Sequence, residues 1–248
     1  GFNPLATLDQ RPGSIERWAV DGARAGTVNM PAGVHLQIFH NQTGTQTINL
    51  NGGSIMGYLP LDYDHVGVIH TLGSGVTINL QADSFLGQPY PAGETVIYDM
   101  GKQNSIMGGN PNDLALRGSY LQIDGNITGP GGLTKVGQDV ILLNGANTYA
   151  GSTVMKNGIL QIGRTNSLPI GTSLVMNGSA GQFDLNGYNQ EVASLSGPAG
   201  SINNGSFEFN TLNVNQTVDT TFDGTIDGNV ILNKNGAGSL TLTGMNTQ

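Results

Sequence analysis

The sequence predicts an all-β chain wound as a parallel β-solenoid, and three observations carry that expectation. Glycine is abundant and charge is scarce: of 248 residues 39 are Gly, and Asp, Glu, Lys and Arg together make only 10%. Apolar residues alternate over short runs. The runs also end alike, on Asn-Gly or Thr-Gly.

The composition excludes much before any element is placed. With 37% hydrophobic residues a core is expected, because a disordered chain carries less apolar and more charged material. The glycines lack the third-residue period of collagen, and the charged, Ala-rich faces of a long helix or coiled coil are absent. The formal net charge is −8 and the nine Lys and Arg are dispersed, so nucleic acid is not expected as a partner, since phosphate affinity comes from clustered cations. Without Cys there is no disulfide, zinc finger or thiol nucleophile.

Period-two alternation predicts strands with one buried face at Thr47-Ile48-Asn49-Leu50, Thr77-Ile78-Asn79-Leu80, Gln182-Phe183-Asp184-Leu185, Ser206-Phe207-Glu208-Phe209 and Ser239-Leu240-Thr241-Leu242-Thr243. One helical turn is allowed over Ser14 to Val20, with Ser14 as its cap. The strand ends Asn51-Gly52, Asn144-Gly145, Asn177-Gly178, Asn186-Gly187 and Thr243-Gly244 mark sharp turns, because Asn and Gly tolerate positive φ. They fit either hairpins in an antiparallel sandwich or the corners of a solenoid.

Self-similarity favours the solenoid. A shift of 99 residues lays 123–148 on 222–247 with 11 identities in 26 positions, among them Lys135 on Lys234, Gly145 on Gly244 and Asn147-Thr148 on Asn246-Thr247. Two repeat-like units, about 120–163 and 222–248, thus lie in one continuous segment, 1–248. The second stops at Gln248 and the chain opens without Met, so a longer protein is expected. A turn of roughly 20 residues burying a few apolar side chains gains less than the backbone entropy it loses, so turns must stack.

Gly132-Leu133-Thr134-Lys135-Val136-Gly137, then Ile141-Leu142-Leu143-Asn144-Gly145-Ala146-Asn147-Thr148-Tyr149-Ala150-Gly151-Ser152-Thr153-Val154 and Gly158-Ile159-Leu160, closely resemble the repeat of autotransporter passenger domains. Asp139 departs from the pattern, which has Gly there; the second copy keeps Gly236 and Gly238. The resemblance implies a right-handed parallel β-helix exported by type V secretion and displayed on a Gram-negative outer membrane, generally for adhesion, with the translocating β-barrel outside this chain.

An enzyme is not expected. Adjacent Asp-Asp, Gly-His-Gly and Arg-x-Lys, which resemble the marks of pectin-cleaving β-helices, do not occur, nor does Gly-Asp-Ser-Gly. Gly129-Pro130-Gly131-Gly132-Leu133-Thr134-Lys135 lacks the ending of a phosphate loop and reads as corner glycines. The run 108–113 has Pro111 where a calcium nonapeptide needs Gly. His35 and His40, like His65 and His70, are five apart and face opposite sides of a strand. No cofactor and no metal are expected.

The stretch from Tyr58 to Tyr98 is less regular and concentrates Tyr, Pro and His. Its candidate binding residues are Tyr58, Asp62, Tyr63 and His65, since loops on a rigid scaffold are a usual place for binding and Tyr offers both a ring and a hydroxyl. The function expected is attachment, to host extracellular matrix, a cell-surface receptor or glycan, or a second copy of the chain. A stalk supporting a distal domain is the structural alternative, and a polysaccharide lyase or hydrolase a third.

Overall fold

A computed structural model describes residues 15–18, 25–38, 41–57, 69–87 and 120–247. It is an all-β solenoid of about eight turns. Every strand pair is parallel, and no helix occurs among the described residues.

The strands lie on three faces visited in the same order on each turn. The first face stacks β2 (Gly26–Pro31), β4 (Gln46–Asn51), β7 (Thr77–Leu80) and β10 (Ile127–Thr128), and resumes with β15 (Gln190–Val192), β18 (Asn210–Asn215) and β21 (Val230–Asn235). On the second face β1 (Ile15–Trp18), β3 (His35–Ile38), β5 (Ser54–Gly57), β8 (Ser84–Leu86) and β11 (Leu133–Lys135) lead into the first part of β13 (Thr153–Ile162) and of β14 (Ser173–Asp184), then β16 (Ser194–Ser196). There β19 (Thr220–Phe222) and β22 (Leu240–Leu242) continue the stack through the Gly197–Phe222 bridge. The third face holds β6 (Ile69–Leu72), β9 (Tyr120–Ile123), β12 (Val140–Leu143), the second parts of β13 and β14, β17 (Ser201–Asn203) and β20 (Thr225–Ile226).

Alternation explains which side chains enter the rod. In β4 the inward Ile48 and Leu50 are fully buried, while Thr47 and Asn49 point outward; β7 repeats this with Ile78 and Leu80 against Thr77 and Asn79. In-register stacking then lines up like with like. Asn49 Nδ2 donates to Asn29 Oδ1 at 2.7 Å, and Asn79 Nδ2 to Asn49 Oδ1 at 2.9 Å. Each such ladder satisfies amides on a surface where charge would repel charge, which is why the chain carries so little.

Corners use glycine where a side chain has no room. At Asn186-Gly187 both residues have positive φ, 47° and 88°, as the Asn-Gly reading requires. Gly178 differs: it lies inside β14, where the strand bends from the second face to the third without a break. Two further expectations are corrected. Ile15–Trp18 is a strand paired with β3 rather than a helical turn, because pairing with the next turn outweighs weak local helical preference. Ser206–Phe209 is an exposed corner, since the inward positions before and after it are filled by Ile202, Leu212 and Val214.

The two self-similar stretches occupy different faces. Leu133–Lys135 lies on the second face, and Leu232 with Lys234 on the first. The same local bonds nevertheless recur. Asn147 Oδ1 accepts the Ile127 N–H at 2.7 Å and Asn246 Oδ1 accepts that of Ile226 at 2.9 Å; Lys135 and Lys234 each donate to the carbonyl two residues on, Gly137 O at 3.1 Å and Gly236 O at 2.7 Å. The strand-and-corner unit is therefore independent of the face that it occupies.

His35 is expected to make the stacking of β3 on β5 pH-sensitive. Its Nδ1 lies 2.7 Å from Ser54 Oγ on the next turn, and burial holds its pKa below the ordinary 6.5. Between the lowered value and 6.5 the unfolded chain binds more protons than the folded one, so stability falls as pH drops through that window. Urea midpoints at about pH 7.5 and about pH 5.5 are expected to differ more for the wild-type chain than for His35→Asn. Equal differences would contradict this.

Candidate functional site

Tyr58, Asp62, Tyr63 and His65, together with His40 and the run 108–113, lie outside the described residues. The strands that flank them are described. Stacked partners are 20 residues apart on regular turns, as for Asn29 and Asn49, but 30 apart for Asn49 and Asn79 and 49 apart for Asp83 and Gly132. The additional residues, 58–68 and 88–119, fall in sequence between β5 and β6 and between β8 and β9. Since β5 pairs with β8 and β6 with β9, the strands that flank the two insertions meet at the same corner on adjacent turns.

One turn further, that corner is closed by a buried ion pair. Lys135, fully buried, enters an interior column with Leu86 below and Met155 and Met176 above. Its Nζ donates to Asp139 Oδ1 at 2.7 Å and to the carbonyls of Val136 (2.7 Å), Gly137 (3.1 Å) and Asn157 (3.2 Å). Burial pushes its pKa below 10.5, and Asp139 opposes the shift. Asp139 is thus the partner of a lysine that cannot reach water, which accounts for its place where the repeat pattern has Gly.

Other carboxylates serve the stacking. Asp83 accepts the Gly132 N–H (2.7 Å), Asp184 those of Asn186 and Gly205 (both 2.8 Å), and Asp219 that of Ser239 (2.7 Å). The bond from Ser239 holds the exposed Asp219 carboxyl below its usual range. No group of three His, Cys, Asp or Glu that could hold a metal ion occurs among the described residues.

The surface feature that alternation did not reveal is the corner 204–209, between the third and first faces. Phe207 is 99% exposed and Phe209 65%, with Tyr188 at 39% on the turn below. The backbone beneath them is tied on both sides. Asn204, itself buried, donates from Nδ2 to Glu208 O (2.6 Å), Asn210 Oδ1 (2.9 Å) and Asn229 O (3.1 Å), and accepts at Oδ1 from Gly187 N (2.9 Å) and Ser206 N (3.2 Å). Asn229 Nδ2 donates to Phe207 O at 3.0 Å, and Asp184 holds Gly205. The sequence signal was Asn204-Gly205 ahead of the alternating pair, a turn that moves the following residues off the inward positions.

Comparison with known proteins gives two relatives. The chain is similar to "Adhesin BmaC autotransporter" of Brucella suis biovar 1 (strain 1330), 31% identical over 126 residues, which is 50% of this chain and 4% of that protein. It is also similar to "Uncharacterized protein YuaQ" of Escherichia coli (strain K12), 34% identical over 119 residues, 47% of this chain and 8% of that protein. The matched part therefore spans under a tenth of either relative. No family model matches, and no solved structure matches. The similarity and the solenoid together fit a passenger domain of a surface-exposed or secreted protein.

Proposed function

We propose that this chain is a segment of an autotransporter passenger, displayed at a bacterial surface, that mediates attachment without catalysis. The observation that carries the reading is the similarity to an autotransporter adhesin over half the chain, on a fold whose first face carries outward ladders of Asn. Support for a non-enzymatic role comes from Asp83, Asp139, Asp184 and Asp219, whose carboxylates are engaged in bonds that hold corners and turns together. Attachment is to host matrix, to a receptor or glycan on a host cell, or to a second copy through in-register ladders.

Microspheres coated with the 248-residue chain are expected to adhere to epithelial cells or to one another several-fold more than albumin-coated ones. Equal adhesion in both settings would refute the reading. The stalk alternative is favoured by the unbroken stacking over 120–247. In that case removal of whole turns from this region of the full protein leaves adhesion intact.

A further inference from the structure

Most polar groups at the corners are used in bonds between turns, and the corner 204–209 stands apart. The neighbouring corners on the same edge, 185–189 below and 227–229 above, are shorter. Here the chain exposes Phe207 and Phe209 on a backbone tied by Asn204 and Asn229. Apolar rings that stand in water are stabilised when a ligand covers them. A fixed backbone means that little ordering entropy opposes the covering.

The polar groups beside the rings indicate what covers them. Among the described residues the Tyr188 hydroxyl, the Glu208 carboxylate and the Asn189 Nδ2 make no hydrogen bond; Asn189 uses only its Oδ1, which accepts the Thr211 N–H at 2.8 Å. Donor and acceptor groups thus stand unengaged on the corner that carries the two phenyl rings and on the corner one turn below it. Tyr188 is brought to them by stacking, since Gln190 pairs with Leu212 and position 188 therefore lies one turn below 210. No Lys, Arg or His occurs in 185–190, 204–210 or 227–231, whereas Glu208 and Asp227 do. A sulfated or sialylated chain, a nucleic acid or an anionic membrane would meet carboxylates without a compensating cation. Hydrophobic C–H faces rimmed by hydroxyls that both donate and accept belong to an uncharged sugar, and rings with free amide, phenol and carboxylate groups complement both parts.

From this we infer that the corner formed by Tyr188, Asn189, Phe207, Glu208 and Phe209 binds an uncharged saccharide, a pyranose ring stacking on Phe207 or Phe209 and its hydroxyls bonding to Glu208, Tyr188 and Asn189. The inference rests on the attachment reading and names a ligand class for it.

The test is calorimetry and saturation-transfer NMR on the whole chain with mannopentaose, cellopentaose, chitopentaose and lacto-N-tetraose, and with sialylated lacto-N-tetraose as the charged counterpart. At least one uncharged probe is expected to bind. Phe207→Ala/Phe209→Ala is expected to weaken it at least tenfold and Glu208→Gln to weaken it less, while the melting temperature stays unchanged because these side chains are exposed. Sialylation is expected to give no gain. The inference is overturned if no uncharged probe binds at about 1 mM, if the double Phe variant binds as tightly as wild type, or if only a basic, apolar peptide binds. Microsphere adhesion separates the two levels: adhesion that persists in the Phe variant without sugar binding removes this site alone, whereas a wild-type chain that does not adhere removes the attachment reading.

Discussion

Lys135→Met is expected to destabilise the protein by about 3–5 kcal/mol, the usual cost of stripping the partner from a buried charge. The substitution looks benign from the column it joins, because Met155 and Met176 occupy the same interior line one and two turns away. What it leaves behind decides the outcome: Asp139, 5% exposed, and the carbonyls of Val136, Gly137 and Asn157 all lose their donor. Asp139→Ala alone is milder, about 1.5–3 kcal/mol, because the ammonium keeps its three carbonyls. The double variant is expected to be more stable than Lys135→Met and less stable than wild type, so the single effects exceed their combination. Since the lysine pKa is lowered by burial, the unfolded chain holds the extra proton between that value and 10.5. Stability therefore rises with pH across that window in wild type, and the rise is lost in Lys135→Met. Urea melts of the four proteins check both points. A Lys135→Met cost below about 1 kcal/mol would show that the pair is not closed to water.

The elements that were legible are those whose evidence is local. Ile48 and Leu50, or Ile78 and Leu80, declare their inward face by alternation, and Asn186-Gly187 declares its corner by the φ values that only such residues accept readily. Properties that exist only between turns were not legible. Phe207 and Phe209 alternate as well as any strand, but the turn they belong to already has Ile202, Leu212 and Val214 inside. Asp139 could be seen as a departure from a pattern, yet its pairing becomes visible only when the corner folds Lys135 inward. Ile15–Trp18 takes its strand conformation from β3. Alternation says that a residue points in or out and leaves open which of three faces it joins, so 123–148 and 222–247 could match in sequence while lying on different ones. For the candidate site the same limit applied: Tyr188 is distant in sequence from Phe209, and stacking brings it one turn away.

Two glycine substitutions are expected to move stability in opposite directions, and the contrast tests how the turns are held. Gly129 has φ +108°, and a Cβ there would lie 2.6 Å from Asn79 Oδ1 and 2.8 Å from Leu80 N on the turn below. On the turn above, the Ala150 N–H donates to the Gly129 carbonyl at 2.9 Å, so the backbone cannot yield in that direction without breaking a stacking bond. Gly129→Ala is therefore expected to cost about 2–5 kcal/mol, from about 1–2 for the positive φ and about 1–3 for the forced displacement. Gly171 has no atom within 4 Å of the equivalent position and no positive φ, so Gly171→Ala is expected to stabilise by about 0.4–1 kcal/mol through the unfolded chain. In a rod whose stability is a sum over neighbouring turns, the first effect is also directional. Hydrogen exchange in Gly129→Ala should accelerate at β7, β10 and β11 and remain near wild type at β18 and β21. Uniform acceleration from β7 to β21 would mean that the solenoid unfolds as one cooperative unit, and the nearest-neighbour account of this chain would fail.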